Sequence, residues 1–201
     1  MNDVELEKGF RAVMENGRAL LIEAKFLLKN NFFARAYSLA QLSIEESGKG
    51  MLLYRAVLGY YQGDEINEKY LDSLGFRNHQ EKTKLSLKSE AFAIMLFEKD
   101  SEKETHLTDA ILKDLESISE INNLKNNSLY VGVKNDSFFS PVNKITDMMA
   151  NEIIEKAEIR LACVEPMFRP LGQIKASSNK LKNLLSNNEE RDAFEKKIFG
   201  E

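Results

Sequence analysis

Punctuation constrains this chain more than any other feature. Only 3 Pro and 10 Gly are spread over 201 residues. An all-β fold needs turn chemistry roughly every 8–12 residues, and that is missing here. Between the breaks, apolar side chains recur at spacings of three and four, the repeat of a helix packed on one face. The chain therefore reads as all-α: a bundle of about five to eight helices, with a short irregular or extended segment near 128–140. Residues 3–29 form one amphipathic run through Phe10, Val13, Met14, Leu21 and Leu28, broken at Asn30-Asn31. Residues 32–61 form a second run, with Ala36, Ala40, Ser43, Ser47 and Gly48 supplying small side chains where another backbone can come close. A helix apolar over most of its circumference is central to its domain.

Further along, 65–74 reads as a short helix stopped by Gly75, and 76–98 as a third long one. The charged run Lys99 to Glu104 reads as a connector. A fourth helix is expected from an N-cap at Thr108 or Asp109 to about Asn127. Leu129 to Val133 has β-branched character and Asn135-Asp136-Ser137 is turn chemistry, which suggests an extended stretch but not a sheet. Pro141 is expected to open a fifth helix, and short helices are expected at 173–185 and 189–199. The division is thus a helical domain over 1–170 and a terminal segment, 171–201, serving as a packed extension or dimerisation element.

Composition narrows the function. A net charge of −4 excludes a globally basic surface, so DNA is not expected as a partner, and any RNA contact is confined to a local pocket. One cysteine, Cys163, allows neither an internal disulfide nor a cysteine zinc site, and two histidines do not make a His-rich one. No metal and no cofactor are expected. The acidic start lacks the apolar core of a signal peptide, and no run is long enough to span a membrane, so a cytoplasmic protein without membrane contact is expected. Phosphate-binding glycine loops, dinucleotide fingerprints, zinc-protease pairs and serine elbows are absent.

Three polar clusters sit oddly on these helices. Glu45 and Lys49, four apart in the second helix, read as an ion pair on its most polar side. Glu46 has Leu39, Leu42, Gly50 and Leu53 as same-face neighbours, so it is expected inside, as a strut to another helix or as a catalytic or ligand-binding acid. His79 and Lys82 share a helix face, either as an ordinary polar first turn or as the far wall of a pocket facing Glu46. Lys125, Asn126 and Asn127 suit a helix C-terminus, yet the aromatics that follow, Tyr130 with Phe138 and Phe139, are not explained by it.

In this order and spacing the clusters resemble the AbiV family of bacterial abortive-infection proteins, within the HEPN class of helical domains. The resemblance rests on Ala40 to Lys49, Phe76 to Lys82, Leu124 to Val131, and the turn to Pro141 with the Ala-rich helix after it, over about residues 10–165. It implies a HEPN-like bundle, commonly a homodimer, acting against phage. Related HEPN domains are often metal-independent ribonucleases with an arginine, a polar residue and a histidine four to six residues beyond the arginine. This sequence departs from that pattern, with Lys125, Asn126 and then Tyr130. Lysine lacks the bidentate fork, and tyrosine holds its proton too tightly to be a good base near neutral pH.

Three functions compete. The first is a phage-resistance effector that binds a phage-encoded protein and interferes with translation or RNA. The second is a ribonuclease with Glu46, His79, Lys125 and Tyr130 as catalytic candidates and Glu45, Lys49, Lys82 and Asn126 as binding candidates. The third is a structural helical adaptor without chemistry. The sequence alone leaves open whether the chain is an enzyme.

Overall fold

In the computed structural model, residues 1–97 and 101–167 are described. They form seven α-helices and one hairpin: α1 (Asp3–Lys29), α2 (Phe33–Gln62), α3 (Glu68–Ser73), α4 (His79–Phe97), α5 (Ser101–Glu116), α6 (Ile118–Leu129), β1 (Gly132–Lys134), β2 (Ser137–Phe139) and α7 (Asp147–Val164). Short 3-10 turns occupy Pro141–Asn143 and Glu165–Met167. The expected helices at 173–185 and 189–199, and with them the 171–201 segment, lie outside the described residues. No helix among the described residues is long and apolar enough to cross a membrane.

The bundle is organised around α2, which is packed by α1, α7, α4 and α6. That arrangement follows from its small side chains. Ser43 donates its hydroxyl to the Gly17 carbonyl at 2.7 Å, so α1 crosses α2 nearly backbone to backbone. Gly50 faces Val164, Phe10 and Met14. The closest approach is at Gly48, where a Cβ would lie 1.9 Å from the Lys82 carbonyl oxygen. No other residue type lets α4 come this near. Around α2 the apolar core runs through Leu6, Phe10, Met14, Ile44, Met51, Leu52, Ile153, Ala157 and Leu161.

Helix ends follow local chemistry. Asn2 caps α1, Asn67 caps α3 and Thr146 caps α7, each accepting from a backbone N–H three residues on. Gly63, at φ 100°, closes α2 in the left-handed conformation.

Four expectations along the chain need correction. The charged run at 99–104 is helical from Ser101, because glutamate and lysine are good helix formers. The fourth helix is divided in two at Ser117, whose N–H is shared between the Lys113 and Asp114 carbonyls. Pro141 opens only a 3-10 turn, and α7 waits for the cap at Thr146. The stretch after α6 is also more ordered than an extended segment. Its strands pair antiparallel, with Val133 opposite Phe138 and Lys134 opposite Ser137. Asn135 and Asp136 both take positive φ, 51° and 57°, which is what a two-residue hairpin turn requires.

The α2–α4 approach predicts a contrast between two glycines. Gly48→Ala is expected to destabilise the protein by about 3 kcal/mol, because the clash is with backbone. Gly9→Ala meets only Leu53 at 3.6 Å and is expected to be neutral or stabilising by up to about 1 kcal/mol. Urea unfolding of the two variants checks this.

Candidate functional site

Where α2, α4 and α6 meet, Glu45 lies at 2% exposure. Lys125 Nζ, from α6, donates to its Oε1 at 2.7 Å. Lys82 Nζ lies 3.1 Å from Oε2, and His79 Nδ1 lies 2.5 Å from the same oxygen. Both lysines are buried. An ionised carboxylate only accepts, so Nδ1 carries the hydrogen and Nε2 of a neutral ring is the free acceptor. The His79 side chain is 55% exposed, so this histidine joins the buried cluster to the surface.

Local sequence builds each wall. Asn78 accepts from the N–H groups of Gln80 and Glu81, which starts α4 at His79 and places the imidazole in its first turn. The Gly48 approach then draws Lys82 in. On the α6 side, Ser38 and Ser128 hydroxyls meet at 2.6 Å, and Arg35 donates to the Leu129 carbonyl. Gln41 donates to Thr83 at 3.1 Å, and Ser47 meets Ser86 at 2.6 Å. A polar seam of Ser38, Gln41, Glu45 and Ser47 thus runs along α2 inside the bundle.

Burial pushes the Glu45 carboxyl up, but the Lys125 and His79 hydrogen bonds and the Lys125 and Lys82 charges outweigh it. Together they hold the carboxyl below its ordinary value of 4.5. Two ammonium groups against one carboxylate leave a surplus positive charge before His79 is counted. The cluster can therefore orient an imidazole and present a positive field, and its lysines are already engaged.

Both glutamates are buried, Glu45 at 2% and Glu46 at 8% exposure, so Glu46 lies inside as expected, but the partners of the two differ from the expected ones. Glu45 faces the cluster and does not pair with Lys49. Glu46 pairs with Lys49 at 2.6 Å, and Lys49 also sits over the Phe76 ring. His79 and Lys82 therefore face Glu45, not Glu46. The reason is that α2 has no polar side: its Ser38, Gln41 and Glu45 are covered by α4 and α6, whereas Leu39 and Leu42 are only half-buried. Lys125 joins His79 and Lys82 at Glu45. Asn126 is exposed, and its carbonyl accepts the Tyr130 N–H. Tyr130 is 68% exposed and follows Leu129, whose carbonyl accepts from Arg35 near the start of α2, about three helical turns before Glu45. The structure does not bring either residue to the cluster.

A second buried group was missed. Arg160 is fully buried, with Nε 3.0 Å from Glu90 and a terminal nitrogen 3.5 Å from Asp114, which Lys156 also contacts at 2.6 Å. It ties α7 to α4 and α5. Burial, with Asp114 and Glu152 nearby and partly offset by Arg160, pushes the Tyr37 hydroxyl up to about 12. Burial and Glu90 push the Cys163 thiol up to about 11, so it is an unreactive thiol. The signal was present: Arg160 falls in register with Ala157 and Val164 on the buried stripe of α7. Among the described residues no group of His, Cys, Asp and Glu is placed to hold a metal.

Among the described residues, seven helices with the small-residue α2 at their centre, one short hairpin and a buried acid–base cluster between α2, α4 and α6 make an all-α bundle. The family model HEPN_AbiV, described as AbiV, matches residues 5–162, and the chain belongs to that family. The family implies a role in abortive infection, a defence of bacteria against phage. No significant match is found among curated proteins or among solved structures.

Burial predicts unequal costs for the two glutamates. Glu45→Ala strands two buried lysines and is expected to cost about 3–5 kcal/mol, whereas Glu46→Ala frees only the half-buried Lys49, which can turn to solvent, and is expected to cost about 1–2 kcal/mol. Chemical denaturation separates them. The lowered Glu45 pKa also sets a pH dependence: its contribution is complete above the ordinary carboxylate value of 4.5 and is lost as pH falls below it toward the lowered folded value. The stability gap between wild type and Glu45→Gln is expected to be flat above about pH 5 and to narrow below it.

Proposed function

We propose that this chain is a phage-resistance effector that works by binding a phage-encoded protein, and so interferes with translation or RNA in the infected cell. The observation that carries this reading is the burial of Lys125. At the position where HEPN nucleases resembling this chain place a phosphate-binding arginine, Lys125 is enclosed and bonded to Glu45. A lysine so engaged supports the fold and offers little to a phosphate. The effector is read as a cytoplasmic homodimer without a cofactor. Its test is affinity purification of the tagged full chain before and after phage infection. A phage-encoded protein is expected to co-elute in stoichiometric amount only after infection. Protection from phage with no such protein eluting would overturn the reading.

A second reading, a metal-independent ribonuclease, is favoured by the contact between Glu45 and His79. A carboxylate holding Nδ1–H leaves Nε2 at the surface, where it can take a proton from a 2′-hydroxyl or return one to a leaving oxygen. This reading requires fragments from transfer or messenger RNA incubated with the purified chain, and their loss in His79→Ala. Intact RNA in both reactions favours the binding effector.

A further inference from the structure

The surface that the buried cluster leaves unused is the hairpin. Phe138 is 82% exposed and Val142 77%, and Tyr130, Val131, Val133 and Phe32 are exposed beside them. A cavity of about 300 Å³ opens at the base of the hairpin, lined by Phe32, Val131 and Val142 of this group together with Phe33, Leu129 and Pro141. Isolated exposed apolar residues need no explanation, but a group of this size on one corner marks an interaction surface.

The backbone adds a direction. Among the described residues the sheet has only two strands, so both outer edges are open. In a hairpin with a two-residue turn the pair next to the turn, Lys134 with Ser137, is the hydrogen-bonded one, and the next pair alternates. The backbone groups of Val133 and Phe138 therefore point outward, away from the opposite strand. Edge strands in soluble proteins are usually guarded by charge, proline or a covering element. Here the outward-facing pair is valine and phenylalanine.

Charge identifies the occupant. Lys134 lies on the hairpin, Lys144 Nζ sits 5.0 Å from the centre of the Phe139 ring, and Arg35 lines the cavity, while the hairpin itself, residues 132–139, carries one acid, Asp136 at the turn. This corner is positive on a chain of net charge −4. Symmetric pairing of two copies through it would set these cations against their own copies. An extended segment with alternating apolar side chains and acidic flanks would meet complementary charge.

We propose that the β1–β2 hairpin is a docking edge to which an extended, acid-flanked apolar segment of a partner protein adds as a further strand. This rests on the partner-binding reading above. The probe is a fluorescein-labelled synthetic peptide of alternating valine and threonine flanked by glutamates, with a lysine-flanked version as control, titrated with the full chain by fluorescence anisotropy. The glutamate-flanked peptide is expected to bind saturably, and at least about ten-fold more weakly to Phe138→Ser and to Val133→Pro, which removes one outward N–H. The thermal midpoint of Phe138→Ser is expected to match wild type, because the side chain it alters is solvent-exposed. Equal binding of both peptides, binding unchanged in both variants, or self-association abolished by Phe138→Ser would each overturn the proposal. A phage protein that co-elutes equally with wild type and Phe138→Ser would also overturn it, while leaving the effector reading standing. If no phage protein co-elutes with wild type, the effector reading fails and the peptide titration still decides the edge.

Discussion

The bundle depends on holding one carboxylate away from water. Glu45 reaches Lys125 on α6 and Lys82 and His79 on α4, so a single side chain of the central helix binds two of the helices that cover it. Desolvating an ion costs several kcal/mol, and the attraction between partners repays this only when the geometry is good and the remaining polar groups are satisfied. The structure meets much of that condition. The Ser38–Ser128, Ser47–Ser86 and Gln41–Thr83 pairs extend the polar seam above and below the carboxylate, although Gln41 Oε1 has no partner. Such a seam does more for register than for stability. A slip of α4 by one turn would leave the Lys82 ammonium unpaired in the interior and take His79 away from Glu45, which is a strong penalty against the wrong packing.

Steric and electrostatic terms act together here. Gly48 sets the distance between α2 and α4 by removing the side chain that would keep them apart, and at that distance Lys82 and His79 reach Glu45. The Arg160 cluster repeats the arrangement on another face with the charges reversed: one buried cation holds Glu90 of α4 and Asp114 of α5. Helix α4 is therefore fastened to α2 through Lys82 and His79 and to α7 through Glu90. The rigid interior leaves two places where the surface departs from ordinary helix chemistry, the exposed edge of His79 and the apolar hairpin that follows α6.

Much of the fold was legible because helical periodicity is a local property. The limits of α1 and α2, the short helix before Gly75 and the central role of the small-residue helix all follow from spacing and composition. The boundaries that differ at Ser117 and Thr146 lie where a bifurcated hydrogen bond and a cap decide between near-equal local conformations, and the one at Ser101 follows the helix propensity of glutamate and lysine. The hairpin was half legible: Asn135-Asp136 announced a turn, but three-residue strands are too short to signal that they pair. At the site, His79, Lys82 and Lys125 stood out in the sequence as polar residues in register with helices, and the structure gathers those three. Glu45 and Glu46 could not be ranked, since adjacent positions differ by only 100° around a helix and both flanks of α2 carry small or apolar residues.

By itself, the sequence determined that this chain forms long helices, that its second helix lies at the centre, and that its residues follow the pattern of one family of defence proteins. Those properties rest on spacing, propensity and local order along the chain. Only the tertiary structure decided which of the two buried glutamates meets the lysines, that Arg160 is buried with two acids, that Tyr130 stands apart from Lys125's cluster, and that Val133 and Phe138 face outward together. Each of these depends on which helix covers which face of α2. That choice is made by summed packing and desolvation across elements far apart in sequence, and no local pattern encodes it.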